Sequence, residues 1–200
     1  MPVTTSSQAL QMLKDGNKRF VSGTMLSRNF PEQVKQTATQ PDPFAAILTC
    51  MDSRTPPELI FDQGIGDMFS VRVGGNVIDE DVLGSLEFTA KIKGVKLILA
   101  LGHTECAAIK GACDNVKMGN MTVLLDKLKP AINAVPQNIQ PRTSENDAFV
   151  RSVVEMNVKL SLQAITKRST ILNELIDKKA IALVGAVYDV HTGQVAFYKD

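Results

Sequence analysis

The 200-residue chain has no tryptophan, two histidines and three cysteines, and only 5% of its residues are aromatic. Three cysteines, an odd number at no disulfide-like spacing, exclude a disulfide-stapled scaffold and point to a reducing compartment, with the cytoplasm as the expected location. No apolar run approaches the about 18 residues that a spanning helix needs, so no membrane partner is expected. The stretch MPVTTSSQALQMLKDGNKRF lacks a basic segment followed by an apolar one, and no signal peptide is expected there. Neither sign of charge is in excess: 22 Lys and Arg against 21 Asp and Glu leave a formal +1, which gives no reason to invoke nucleic acid or an anionic surface. Internal repeats and low-complexity tracts are absent too. What is present, 44% hydrophobic and 22% charged residues, suits one globular domain long enough to bury a real core.

Two apolar runs end in reactive side chains. AAILTCMDSR, residues 45–54, and LILALGHTEC, residues 97–106, each carry a segment of the length of a buried parallel strand, Ala45 to Thr49 and Lys96 to Leu101. Cys50, Asp52 and Arg54 follow the first; His103 and Cys106 follow the second. Ligands of open α/β sheets gather outside the carboxyl ends of the strands, so adjacent strands would bring the two clusters together. Two thiols, one imidazole and one carboxylate converging on a point make a zinc site.

Around these runs, Leu10, Leu13, Phe20 and Val21 fall at helical spacing within residues 6–21, with Ser6 or Ser7 as N-cap and a break expected at Gly16 and Asn17. Pro31 to Thr39 predicts a short helix, and Pro57 starts another. Met68 to Val73 reads as a strand ended by Gly74-Gly75-Asn76. An acidic first turn, Asp79 to Asp81, opens a helix reaching about Ile92, with Val82, Leu83, Leu86 and Ala90 on its core face. Residues 105–117 look helical, and residues 133–142 form a loop. The strongest helix follows, its stripe made of Phe149, Val153, Met156, Leu160 and Ala164 beside Val150, Val154 and Val158. Ile171 to Ile176 is a short helix, Ala180 to Val187 a fourth buried strand, and Gln194 to Tyr198 an antiparallel edge strand. Strands alternating with helices give a mostly parallel sheet with right-handed crossovers.

Any one of these site residues alone reads better as packing: Cys50 and Cys106 as small buried hydrophobes, His103 as a satisfied core histidine. The combination, each motif capping its own apolar run, reverses that. If the chain after the first strand stays extended, Cys50, Asp52 and Arg54 point to one side, and Arg54 can hold the Asp52 carboxylate through a bidentate fork. His103 and Cys106, three apart, can share one metal if a helix starts there. Cys113 reads as core packing and His191 as a solvated turn residue. Gly74-Gly75 is a weak nucleotide-loop signal, without GxGxxG spacing or a Walker lysine.

Taken together, the residues resemble the β-class carbonic anhydrases of bacterial type. The likeness runs through LKDGNKRFVSG, CMDSRTPPELIFDQGIGDMFSVRVGGN, GHTECAAIKGA and VGAVYDVHTGQVAFY, nearly the whole chain. It implies a four-stranded, mostly parallel sheet with a fifth antiparallel edge strand, helices on both faces and an N-terminal helical arm, residues 1–40, on an α/β zinc core, residues 41–200, all one domain. It implies a homodimer, possibly paired into a tetramer, with the arm packed on the partner subunit. It also implies one Zn2+ per chain and the interconversion of CO2 and bicarbonate by zinc-hydroxide attack on CO2. Cys50, His103 and Cys106 match the zinc ligands, and Asp52 and Arg54 match the catalytic dyad, with Asp52 on the metal in a closed state only. Gln40, one residue further from Cys50 than usual, and Phe69 match substrate-pocket residues. Phe88 stands where a pocket tyrosine is common, and Ala107-Ala108 where glycine usually follows the second cysteine. The second bicarbonate site of inhibited members uses a tryptophan, which this chain does not have. Hydrolysis of CS2 or COS on the same scaffold, and a zinc-binding regulatory or storage role, are the rival readings.

Overall fold

A computed structural model describes residues 3–198; the first two and last two residues of the expected 1–200 domain lie outside the described residues. Its centre is the pair of apolar runs. Ala45–Thr49 forms β1 and Leu97–His103 forms β3, both buried along their whole length. Continuous burial is what a parallel strand covered on both faces requires. Met68–Arg72 is β2, Ala182–Tyr188 is β4 and Val195–Phe197 is β5, and the order across the sheet is β2-β1-β3-β4-β5. The first four strands are mutually parallel and β5 runs antiparallel to β4, as the sequence predicts. Thr49 pairs with Leu101, and β3 runs on to His103. The imidazole therefore stands on the last residue of the strand rather than after it.

The helices are Ser6–Ser22 (α1), Phe30–Thr37 (α2), Pro57–Ile60 (α3), Glu80–Glu87 (α4, prolonged by a π-helical turn to Ile92) and Ala107–Cys113 (α5). Gly119–Asp126 (α6), Lys129–Ala134 (α7), Asp147–Arg168 (α8) and Thr170–Asp177 (α9) complete the set. Alternate residues of β1 face opposite layers. Ala45 and Ile47 meet Leu13 of α1 and Phe61 behind α3, whereas Ala46 and Leu48 meet Leu83 and Leu86 of α4 and Leu172 of α9. Near the carboxyl ends of the strands, α8 closes a third cluster: Phe149, Val150, Val153 and Val154 pack with Ile109, Leu128, Cys50 and Cys106. The buried face of α8 also includes Asn157 and Ser161, two polar residues outside the predicted apolar stripe.

The structure corrects the expectations for α1. Its N-cap is Thr5, in a capping box with Gln8, and the helix passes unbroken through Gly16 and Asn17. Both residues are docking points. A Cβ on Gly16 would stand 1.7 Å from the Phe61 carbonyl oxygen, so the absent side chain is what lets α1 approach. Asn17 Nδ2 donates to the carbonyls of Ile60 (3.1 Å) and Gly193 (2.9 Å), and its Oδ1 accepts from the Val195 amide at 2.9 Å. Ala9 and Leu13 are fully buried in the same chain. The helix expected to lie on a partner thus packs on its own core. Arg19 and Arg28 grip the fully buried Asp62 carboxylate and anchor the segment that follows. Among the described residues α2 is the one α-helix that buries none of its own: Phe30 and Val34 are 48% and 54% exposed, while Gln33 Oε1 accepts from the Ile65 amide at 3.1 Å. Among the described residues, no helix is long and apolar enough to cross a membrane.

Candidate metal centre

The parallel register of β1 and β3 ends both strands at one place, and the side chains that follow converge there. The ligand atoms of Cys50, His103 and Cys106, all buried, lie within 4.8 Å of one another. The two sulfurs are 3.9 Å apart. His103 Nδ1 lies 2.8 Å from the Thr104 carbonyl, which only accepts, so Nδ1 carries the proton and Nε2 presents its lone pair. That Nε2 is buried and has no partner. A buried, unpaired acceptor is costly, and here it faces two thiols. Without a metal the two thiols cannot both ionise readily. The hydrogen bond from Cys106 holds the Cys50 thiol well below its ordinary range against burial, helped by the amides of Asp52 and Gly75. The same bond, burial and the Cys50 charge push the Cys106 thiol far up. A divalent cation removes this conflict, because a coordinating thiol is deprotonated outright. The donor set fits a metal of zinc type.

After Cys50 the chain does not stay extended, the condition on which Cys50, Asp52 and Arg54 would point to one side. It turns, with the Thr55 amide donating to the Asp52 carbonyl at 3.0 Å and the Arg54 amide to Asp52 Oδ1 at 2.9 Å. The expected fork forms around this turn: Arg54 Nε donates to Oδ1 at 2.9 Å and Nη2 to Oδ2 at 2.8 Å. These bonds hold the Asp52 carboxyl down at about 2. Arg54 Nη2 also donates to the Glu105 carbonyl at 3.0 Å, tying the two motifs together. Asp52 is turned to Arg54 and does not belong to the Cys–His–Cys group.

Other predicted residues lie apart. Phe69 and Phe88 line an open groove of 740 Å³ between β2 and α4, and Phe88 is half exposed. Gln40 is exposed in the connection to β1 and does not line that groove. Cys113 is half-buried beside the α8 cluster, outside the Cys–His–Cys group, and burial pushes its thiol up to about 11. His191 is exposed in the turn before β5.

Several residues that hold the site were missed. Arg72, the last residue of β2, lines the groove and donates to the carbonyls of Cys50 (3.2 Å) and Asp52. Thr55, fully buried, donates its hydroxyl to those same carbonyls. The Gly75 amide donates to Cys50 Sγ at 3.3 Å. Arg72 was findable, since it ends a strand at the ligand edge of the sheet.

The carboxyl edge of a doubly covered α/β sheet, carrying a Cys–His–Cys donor set beside an Asp–Arg pair, defines the class: an α/β enzyme with a metal-type centre. The family model described as carbonic anhydrase matches residues 45–195. Carbonic anhydrase 2 of Mycobacterium tuberculosis is 34% identical over 196 residues, 97% of this chain and 93% of that protein. The carbonic anhydrase of Mycolicibacterium smegmatis is 33% identical over 201 residues, 98% of this chain and 94% of that protein. Among solved structures, the β-carbonic anhydrase CafA of Aspergillus fumigatus aligns with a TM-score of 0.77 at 26% identity, covering 96% of this chain and 90% of that one. The chain belongs to the β-carbonic anhydrase family, whose general activity is CO2 hydration.

Proposed function

We propose that this protein hydrates CO2 reversibly with one zinc ion per chain, held by Cys50, His103 and Cys106. The observation that carries this is the buried, unpartnered His103 Nε2 facing two thiols 3.9 Å apart. Bound zinc would supply a Lewis acid that lowers the pKa of water, by less than with three neutral histidines because two thiolates cancel its charge, so activity should favour alkaline pH.

The chain's own residues orient the reactants. Asp52 Oδ1 accepts two bonds from Arg54 and Oδ2 accepts one, which leaves Oδ2 an accepting direction to align the attacking water. Arg54 fixes that carboxylate and keeps it from turning onto the metal in a closed state. Phe69 and Phe88 supply apolar walls for CO2; Gln40 lies outside that groove and is assigned no contact in it. We read residues 1–200 as one domain, with residues 1–40 as the helical arm and residues 41–200 as the α/β core. It works in the cytoplasm as a homodimer, with a tetramer as the further assembly. Support for the dimer comes from the exposed apolar side chains of α2 and from Phe88 beside the free edge of β2. Hydrolysis of CS2 or COS would call for a narrow apolar tunnel to the metal centre, which nothing among the described residues of the single chain provides. A storage or regulatory zinc protein needs no Asp52–Arg54 pair.

Stopped-flow CO2 hydration before and after chelation, with elemental analysis, tests the proposal. Wild type should carry one zinc per chain and lose activity with it; Cys50→Ser with Cys106→Ser should carry none. Stoichiometric zinc in the double variant would overturn the ligand assignment.

A further inference from the structure

Asn157 sits where the α8 pattern calls for an apolar residue. It is 6% exposed, one turn from Val153 and Val154 and beside Val158, all buried. Asparagine is a poor helix former, and a buried amide must find a partner. Asn157 Nδ2 finds one far along the chain, donating to the Gly75 carbonyl at 2.8 Å. Gly75 has φ +64° and Asn76 has φ +44°, so two successive residues of the turn are left-handed. That conformation is unfavourable for Asn76 and persists only where the surroundings hold it. A Cβ on Gly75 would come within 3.0 Å of Leu128 Cδ1, so the turn is closely packed as well. From this turn the Gly75 amide donates to Cys50 Sγ at 3.3 Å.

We propose that Asn157 is a positioning residue for the metal centre: by holding the Gly75 carbonyl it fixes the turn whose amide donates to the Cys50 sulfur. The inference rests on the zinc reading above and extends it to an outer-shell support on α8. An N–H···S bond orients the thiolate and withdraws charge from it. Partners of this kind typically carry about 10–100-fold of metal affinity.

Three measurements test it. Zinc affinity comes from chelator competition, the thiolate-to-metal absorption from the cobalt-substituted protein, and scalar coupling between the Gly75 amide and metal from NMR of wild type loaded with 113Cd. Asn157→Leu should bind zinc about 10-fold or more weakly and move the cobalt band to longer wavelength, because the sulfur lone pairs rise in energy. Asn157→Asp, which keeps the size and removes the donor, should do the same and serves if the leucine variant does not fold. Ile165→Ala, a core truncation two turns along α8, should change neither property. The wild-type Gly75 amide should couple to 113Cd. Unchanged affinity and band in the Asn157 variants, equal shifts in Ile165→Ala, or no coupling in wild type would each overturn the inference. A wild type that binds none of the three metals would overturn the zinc reading and this inference with it.

Discussion

Arg54 supplies Asp52 with three hydrogen bonds, from its amide, Nε and Nη2. The carboxyl, held down at about 2, is ionised at any pH where the enzyme would work, so Arg54 controls its position rather than its charge. Without the guanidinium, the carboxylate stays charged but keeps only the bond from the residue 54 amide, and a cation held by Cys50, His103 and Cys106 would become its best partner. Hydroxide, whose supply rises with pH, would then have to compete for the same position. Arg54→Ala should therefore lower kcat/KM at pH 7 by about 10-fold or more, the worth of one charge-assisted hydrogen bond. The rise of activity should move to higher pH, with zinc content unchanged. A pH series of kcat/KM for both proteins checks this. A variant with wild-type activity and an unshifted profile would show that something other than Arg54 restrains Asp52.

At the scale of elements, α1 shows how two residues that look like breakers can be contacts. Alanine would favour the helix over glycine by about 1 kcal/mol. At position 16, however, the new Cβ would stand 1.7 Å from the Phe61 carbonyl oxygen, so α1 would have to lift and loosen the three hydrogen bonds of Asn17. Overpacking of this kind costs about 1–3 kcal/mol, and the lost bonds add to it. Gly16→Ala should thus be destabilised by about 2 kcal/mol or more net in urea denaturation. Stability at or above wild type would mean that α1 does not dock there. The strands and α8 were legible because burial on a sheet or along 22 residues of helix leaves a long periodic pattern. The short helices α6 and α7 were not: neither is opened by a side-chain N-cap, whereas the comparably short α2 and α9 are opened by Asn29 and Ser169.

For the whole molecule, the distribution of exposed apolar surface matters most. Leu26, Phe30 and Val34 surround α2, and Phe88 and Ile92 lie at the end of α4 and its π turn, each with about half or more of its surface exposed. Large apolar side chains left exposed in this way favour association. Phe30 and Val34 are not buried in their own chain, so changing them should leave the monomer folded. Phe30→Glu combined with Val34→Glu should raise the dimer dissociation constant by about 30-fold or more, the effect of losing one hot spot of about 2 kcal/mol. Sedimentation velocity over a concentration series, with circular dichroism as the folding control, measures it. A variant as dimeric as wild type would place the interface elsewhere.

The sequence alone determined the alternation of strands and helices, the mostly parallel sheet with an antiparallel edge, and the two motifs that carry Cys50, His103 and Cys106. These features are local: each is written in one apolar run and the few residues after it. The pairing of β1 with β3, which brings the two motifs together, is read from the structure. Only the tertiary structure decided what holds the triad. Arg72 reaches the Cys50 and Asp52 carbonyls from a neighbouring strand, and Asn157 reaches Gly75 across 82 positions. It also decided that α1 buries Ala9 and Leu13 against its own core, whereas α2 buries no residue. Such contacts depend on which surfaces meet after the layers pack, and a one-dimensional pattern shows them at most as a polar residue or a glycine out of phase with its element.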